Sequence, residues 1–332
     1  MKHLNGLAES ESKRGARLPG LLAIAFGLVA TSTTVTFAAL EGRLLSAENG
    51  VQPFIWNVST IADFVLLNPL IIYSFGLSIR AMLTLRVQLP IRRLAVLGAI
   101  LAFVSMFGYI QSFSKVRFFD AISIGPGIKE ITLTGWTTLT WTWLALSFVY
   151  FSVVSQLYYI RHVWRLADSD IAYEPLHADE CGGYHRYALP SWYFINGMVA
   201  GLLVFIGFYV QDRLVNHLQD SNRLAYLTVY IVLAPSLFLP PVLHLRRLMR
   251  TSKRKMISNV QQKFDLAFND WKKTCSEPNA LKELIELRKN ISGFPEWPLP
   301  IAQLFGSLVY WVGPLMPVLN SLANLVGKQL KP

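Results

Sequence analysis

The chain has 332 residues, of which 53% are hydrophobic and only 15% are charged, and its mean hydropathy is +0.38. Soluble proteins carry about 25% charged residues, so this composition excludes an ordinary soluble protein and predicts an all-α integral membrane protein. The formal net charge of +11 does not indicate DNA binding, because the basic residues collect in alternate links between apolar segments.

Six apolar segments predict about six transmembrane helices, in a domain covering residues 20–245 after a polar cytosolic segment, 1–19. The predicted spans are residues 21–40, 61–82, 94–113, 144–160, 193–210 and 224–245. Residues 114–139 interrupt this pattern. They contain the turn sequence Gly125-Pro126-Gly127 between two short apolar runs, which predicts a small extracytoplasmic β-hairpin.

The distribution of lysine and arginine predicts the orientation of these spans. The links that would lie inside, 1–20, 80–93 and 161–192, hold eleven basic residues, and the links that would lie outside hold six. The positive-inside rule therefore predicts a multi-pass protein of the cell membrane with a cytosolic N-terminus.

The C-terminal third begins with a dense basic block and continues as a polar region. Val260, Phe264 and Trp271 recur at helical spacing, as do Leu281 and Leu284, so residues 246–292 predict a cytosolic helical hairpin interrupted near 276–279. Residues 293–332 are apolar and rich in proline. They are predicted to be an interfacial helix, a re-entrant pair or a seventh span.

Polar residues inside the first two spans are the predicted pore-lining groups: Thr31, Thr34, Asp63 and Asn68. Intramembrane carboxylates are costly and usually face water or a bundle interior, and a ring of Asp63 carboxylates would favour cations. Two alternatives remain open. Hydroxyls in a span often bond to their own or a neighbouring helix, and Asp63 would then have a structural role.

The polar loop at 173–190 supplies the predicted gating or ligand-binding residues His177, Asp179, Cys181 and His185. All four are competent metal ligands, but their spacing matches no familiar metal site, so no metal is predicted. The pair Gly182-Gly183 predicts a tight turn with positive φ. The alternatives are ligand sensing by the loop and a purely structural turn.

The basic block comprises Arg246, Arg247, Arg250, Lys253, Arg254 and Lys255. Such a cluster beside a span is typical of binding to anionic lipid headgroups. The alternative is recognition of a phosphorylated or nucleotide ligand. The sequence contains no H-E-x-x-H, P-loop or G-x-S-x-G motif, so neither enzymatic activity nor a cofactor is predicted.

The segment His177-Ala178-Asp179-Glu180-Cys181-Gly182-Gly183 resembles a loop found in a family of bacterial polytopic inner-membrane proteins that has no assigned function. In that family the loop reads His-Pro-Asp-x-x-Gly-Gly, and alanine replaces the proline here. Pro240-Pro241, the basic block and the prolines of residues 294–298 extend the resemblance over roughly residues 140–325. More remotely, the layout is similar to channel-forming membrane effectors of anti-phage defence.

These features predict a homo-oligomeric ion channel or pore in the bacterial inner membrane, gated from the cytosolic side. The resemblance to defence effectors implies a nucleotide-type cytosolic activator. A small-solute transporter is the alternative, and a membrane-bound scaffold without transport is a second. A transporter is expected to have two similar halves with paired broken spans, whereas here only spans two and six contain a proline near their middle.

Overall fold

Long helices make up nearly all of the part of the chain that the computed structural model describes. That part comprises residues 2–42, 44–45, 58–113, 121–123, 129–167, 171, 181–214, 221–274, 279–300 and 306. The helices are α1 (Lys2–Leu40), α2 (Val58–Ala62), α3 (Asn68–Thr84), α4 (Ile91–Phe113), α5 (Leu133–Trp164), α6 (His185–Leu214), α7 (Ser221–Thr274) and α8 (Asn279–Gly293). One π-helical turn, Asp63–Leu67, joins α2 to α3.

Four helical stretches are long and apolar enough to cross a membrane: Leu18–Leu40, Thr60–Thr84, Leu133–Trp164 and His185–Val204. Their surfaces agree with this, since leucines of α1 such as Leu21 and Leu28 are 64% and 65% exposed. The chain is therefore built as a multi-pass membrane protein. The other two predicted spans fall on α4 and on the first half of α7, and their crossing of the membrane stays a prediction.

An aromatic and aliphatic core holds α3, α5, α6 and α7 together. Phe75 of α3 packs on Phe194 of α6 with ring centroids 5.4 Å apart, and Leu245 of α7 is fully buried in the same cluster. Helix α4 packs along α5 at a very short separation. A Cβ built at Gly98 would lie only 2.7 Å from the Ser147 carbonyl oxygen, so this approach requires glycine.

Helix α5 begins eleven residues before the span predicted at 144. Thr132 is its N-cap, and its hydroxyl accepts a hydrogen bond from the Gly135 amide at 3.0 Å. The Glu41 carboxylate, just beyond α1, accepts from the Leu133 amide at 2.7 Å and from the Thr134 hydroxyl. Both acceptors satisfy amides that a helix start leaves unpaired, and the negative charge suits that end of the helix dipole.

Helix α7 is a single helix of 54 residues that contains Pro235, Pro240 and Pro241. It continues through residue 246, where the sequence analysis places a boundary between a membrane domain and a cytosolic hairpin. The predicted interruption at 276–279 lies between the end of α7 and the start of α8, and residues 275–278 lie outside the described residues. The predicted last span and the predicted first cytosolic helix are thus one continuous helix, with α8 packed against it.

Two three-residue strands, β1 (Ala121–Ser123) and β2 (Lys129–Ile131), pair antiparallel with Ile122 opposite Glu130. They occupy the region where the hairpin is predicted. Residues 124–128, with the proposed turn, lie outside the described residues, so the closed hairpin and its location outside the membrane stay predictions.

The turn before α6 has the predicted backbone geometry, since φ is +65° at Gly182 and +86° at Gly183. Cys181 and Tyr184 on either side are almost completely buried, and Cys181 forms no disulfide within the described part of the chain. A side chain in this left-handed region costs about 1–2 kcal/mol, so only glycine allows the chain to reverse tightly here.

Replacing Gly183 with valine should lower the yield of folded protein, because a β-branched residue is strained at positive φ. The matched control is Gly293→Val, because Gly293 has ordinary φ and an added Cβ meets nothing within 4 Å. Monodisperse protein recovered by size-exclusion chromatography in detergent measures the effect. Equal recovery of the two variants would contradict the importance of the turn.

Candidate functional site

The π-helical turn Asp63–Leu67 lies where α1, α3 and α6 meet. The Asn68 amide donates to the Asp63 carbonyl oxygen, which is the i to i−5 pattern of a π-helix. In this pattern the residue that would donate a hydrogen bond to the Phe64 carbonyl is Pro69, which has no N–H. The proline near the middle of the second predicted span, Pro69, therefore lies at a change of helix type, and the Phe64 carbonyl has no amide donor at this position.

Helix α1 approaches this turn closely at Gly27. A Cβ built there would lie 3.2 Å from the Phe64 carbonyl oxygen and 2.7 Å from Pro69 Cγ. Gly20 faces Tyr73 and Gly76 faces Pro19, so α1 and α3 are antiparallel. The same register places Thr31, one helical turn after Gly27, at the level of Asp63 and on the side of α1 that faces the π turn.

The hydroxyl run of α1 divides into two kinds of residue. Thr33, Thr34 and Thr36 donate to their own helix, at 2.8 Å to Val29, 2.8 Å to Ala30 and 2.7 Å to Ser32, which is the structural alternative left open by the sequence. Thr33 also accepts from the indole of Trp141 at 2.9 Å. The Thr31 hydroxyl is different, because it is buried without a hydrogen-bond partner among the described residues.

Asp63, like Thr31, has a buried side-chain oxygen without a hydrogen-bond partner in the part of the chain that is described. Its side chain is 6% exposed, and the unpaired atom is Oδ1. Asn68 and Thr34 are also buried. The oxygen or side chain of each of the four predicted pore-lining residues is thus buried between helices of this chain. An unpaired buried carboxylate oxygen costs several kcal/mol in a low-dielectric setting, so Asp63 is the candidate functional residue of this interface.

A second polar cluster, which the sequence analysis missed, joins α5, α6 and α7. Gln156 is fully buried, and its Nε2 donates to Ser191 Oγ at 3.1 Å and to the Leu237 carbonyl oxygen at 3.2 Å. In a regular α-helix the Leu237 carbonyl would accept a hydrogen bond from the amide of residue 241. Residue 241 is a proline and has no N–H to donate. The signal was present in the sequence, because a proline inside a span requires a donor from elsewhere for the carbonyl four residues earlier.

Substituting Gln156 with leucine should destabilise the protein by about 1–3 kcal/mol, because the Leu237 carbonyl would then be buried without a donor. Ser147→Ala is the control, since that hydroxyl bonds only to its own helix, at the Trp143 carbonyl. Thermal unfolding of both variants in detergent, followed by tryptophan fluorescence, measures the difference. Wild-type stability in Gln156→Leu would exclude the proposed support of α7.

Half of the basic block on α7 is engaged with the residues that follow α8. Lys253 is 7% exposed, and its Nζ donates to the carbonyl oxygens of Ser292 at 2.9 Å and Phe294 at 2.8 Å, capping the end of α8. Arg250 Nε donates to Glu296 at 2.7 Å, and the Arg246 guanidinium lies 3.8 Å from the centroid of the Trp297 ring.

These contacts divide the six predicted lipid-binding residues by helix face. Arg246, Arg250 and Lys253 follow one another at helical spacing and hold the segment 292–297 against α7. Arg247, Arg254 and Lys255 are exposed. The basic residues that remain suited to an anionic headgroup or phosphate are therefore this exposed set.

The hydrogen bond from Arg250 lowers the pKa of Glu296 below its ordinary value of 4.5, and the charges of Arg250, Lys253 and Arg246 act in the same direction. The Arg250–Glu296 pair should therefore stabilise the folded state fully above that ordinary value. This contribution should disappear as the pH falls through the lowered pKa. Because both side chains are about two-fifths exposed, we expect it to be about 1 kcal/mol at most.

Glu296→Gln should accordingly melt at a lower temperature than the wild type at pH 7, and the difference should shrink as the pH falls below 4.5 and disappear once Glu296 is protonated in the folded state. Glu286→Gln, at an exposed position on α8, controls for loss of one carboxylate. A difference between wild type and Glu296→Gln that persists unchanged at low pH would contradict the role of the charged pair.

The predicted gating loop is only partly described. His177 and Asp179 lie outside the described residues, Cys181 is buried in the turn, and His185 begins α6. Tyr184 connects this turn to α7, since its hydroxyl lies 3.1 Å from Ser252 Oγ. Among the described residues no group of three or more His, Cys, Asp or Glu side chains is placed to hold a metal ion.

Comparison of the chain with models of protein families, with curated proteins and with solved structures gives no match.

Proposed function

We propose that the chain forms a homo-oligomeric cation channel in the bacterial inner membrane, gated from its cytosolic side. The observation that carries this proposal is the Asp63 carboxylate, which lies inside a membrane-spanning segment, is almost completely buried and has an unpaired oxygen within the described residues. A charged group in that position is retained against a large desolvation cost, and binding of a cation in transit explains its presence.

The burial of Asp63 between α1, α3 and α6 supports a path through each subunit, in place of a ring of carboxylates around a shared axis. Thr31 and the Phe64 carbonyl continue this path with neutral oxygens, which solvate a cation without trapping it. The leucines exposed on α1 would then face lipid or a neighbouring subunit.

Gating from the cytosolic side is supported by the link between the 181–184 turn and α7. The hydrogen bond between Tyr184 and Ser252 connects the loop to α7. The same helix contains the Leu237 carbonyl, which accepts a hydrogen bond from Gln156. A ligand that moves the loop would therefore move the part of α7 around Ser252, with Pro240 and Pro241 as the positions where α7 can bend.

Planar bilayer recordings test the channel. In asymmetric KCl, wild-type protein should carry a cation-selective current when nucleotide second messengers are added on the side of the 181–184 turn. Asp63→Asn should fold normally and lose cation preference by about tenfold or more, because a buried unit charge acts through a low dielectric.

Asp265→Asn, an exposed position on α7, is the control and should retain wild-type selectivity. Unchanged selectivity in Asp63→Asn would place the permeation path elsewhere. Absence of current under every activator would favour the scaffold interpretation.

The orientation, with six spans and a cytosolic N-terminus, gives a separate prediction. In a background lacking Cys181 and Cys275, cysteines at positions 122 and 216 should react with an impermeant maleimide added outside intact cells, and cysteines at 168 and 256 should not. Permeabilised cells provide the control, since all four positions should then react. The opposite accessibility in intact cells would reverse the topology.

A small-solute transporter is the second function that an observation favours. Pro190 interrupts the hydrogen bonding of α6 and Pro241 that of α7, and both lie next to the buried Gln156 and Ser191. Transporters bind substrate at such broken helices. Flux that saturates with solute concentration, without unitary currents, would identify this alternative.

A further inference from the structure

Three oxygen atoms converge on the interface between α1 and the π turn, and each lacks the hydrogen bond that its position would normally provide. Asp63 Oδ1 and Thr31 Oγ1 are buried without a partner among the described residues. The Phe64 carbonyl loses its α-helical donor, because the Asn68 amide donates to the Asp63 carbonyl instead. One such atom is an ordinary imperfection of packing. Three at one level of the same interface indicate a shared requirement for a ligand.

The position of each oxygen follows from the backbone. The Phe64 carbonyl is directed at α1, since it lies 3.2 Å from where a Gly27 Cβ would be. Thr31 is four residues after Gly27 and therefore lies on nearly the same helix face. Asp63 is the first residue of the π turn. Because a π turn is wider than an α-helical turn, its side chains and carbonyls are displaced from the positions they would have in a regular α-helix.

The chemistry of the three groups selects the ligand. A carboxylate, a hydroxyl and a backbone carbonyl are hard oxygen donors, which bind alkali or alkaline-earth cations and not thiophilic metals. The Asp63 carboxylate is the single group of the three that can carry a formal charge. One negative charge neutralises a monovalent cation and leaves a divalent cation under-compensated in a low-dielectric site.

We propose that Thr31, Asp63 and the Phe64 carbonyl form a binding site for a monovalent metal cation, Na⁺ or K⁺, within each subunit. The inference rests on the proposed function, because it supplies the ion-binding step of the path. The π turn is the feature that makes the site, since a regular α-helix would satisfy the Phe64 carbonyl internally. Non-helical backbone supplies carbonyl ligands to Na⁺ in other membrane proteins in the same way.

Cation-dependent thermal stability of the purified full chain tests the site without any need for conduction. Melting in detergent at fixed pH and ionic strength should occur at a higher temperature in NaCl or KCl than in choline chloride, with a response that saturates, because only the folded state holds the cation. Asp63→Asn should abolish the response. Thr31→Val should raise the half-saturating concentration by about tenfold or more, through loss of one ligand.

The matched control is Thr36→Val, which removes a hydroxyl that bonds to the Ser32 carbonyl of its own helix, and it should keep the wild-type response. If Asp63→Asn does not fold, the shift in Thr31→Val relative to Thr36→Val decides the question.

Three outcomes would overturn the site: an equal response in Asp63→Asn and wild type, a larger stabilisation by Ca²⁺ than by Na⁺ or K⁺, or melting that depends on pH alone, which would show that a proton neutralises Asp63. Bilayer recordings on the same protein preparation test the channel proposal separately from the cation site. Cation-dependent melting without current supports the site and refutes conduction. Current with a melting temperature insensitive to cations refutes the site and leaves the channel in place.

Discussion

A backbone carbonyl inside a membrane must have a hydrogen-bond donor, and the rest of this structure depends on how its prolines meet that requirement. Pro241 removes the donor for the Leu237 carbonyl, and Gln156 of α5 supplies one at 3.2 Å. Pro190 of α6 lies beside the same cluster, where its own carbonyl accepts from Ser78 at 2.7 Å. These polar contacts cross four helices and hold them in one arrangement, which apolar packing between lipid-solvated helices would specify less tightly.

The π turn is different, because the Asn68 amide, which an α-helix would direct at the Phe64 carbonyl, donates to the Asp63 carbonyl instead. The two prolines thus have contrasting surroundings. Next to Pro241, the freed Leu237 carbonyl has a protein partner, the Gln156 amide. Near Pro69, Thr31 Oγ1 and Asp63 Oδ1 are buried without a partner among the described residues, and beside Pro241 the same is true of Gln156 Oε1. We interpret the hydrogen bond from Gln156 as structural support for α7 and the π turn as the proposed ion site, since only the π turn presents an unpaired carboxylate oxygen.

The opposite end of the bundle connects these membrane features to the polar C-terminal region. Lys253 caps α8, Arg250 pairs with Glu296, and Tyr184 contacts Ser252. Each contact has one partner on α7, so this helix of 54 residues connects the turn at 181–184 with the segment after α8. In the proposed channel, α7 is therefore the element through which a displacement of the turn would reach the other helices.

The sequence by itself determined the class of the protein, the approximate positions of its apolar helices and the left-handed turn at Gly182-Gly183, because composition, hydrophobic length and glycine pairs act locally. The tertiary structure decided what the polar residues do. Thr33, Thr34 and Thr36 bond within α1 and Thr31 does not, although all four occur in one run. Likewise Lys253 is buried in a helix cap and Arg254 is exposed. Such differences depend on which face of a helix meets a neighbour, and helix packing sets that through close approaches such as Gly27 against the π turn.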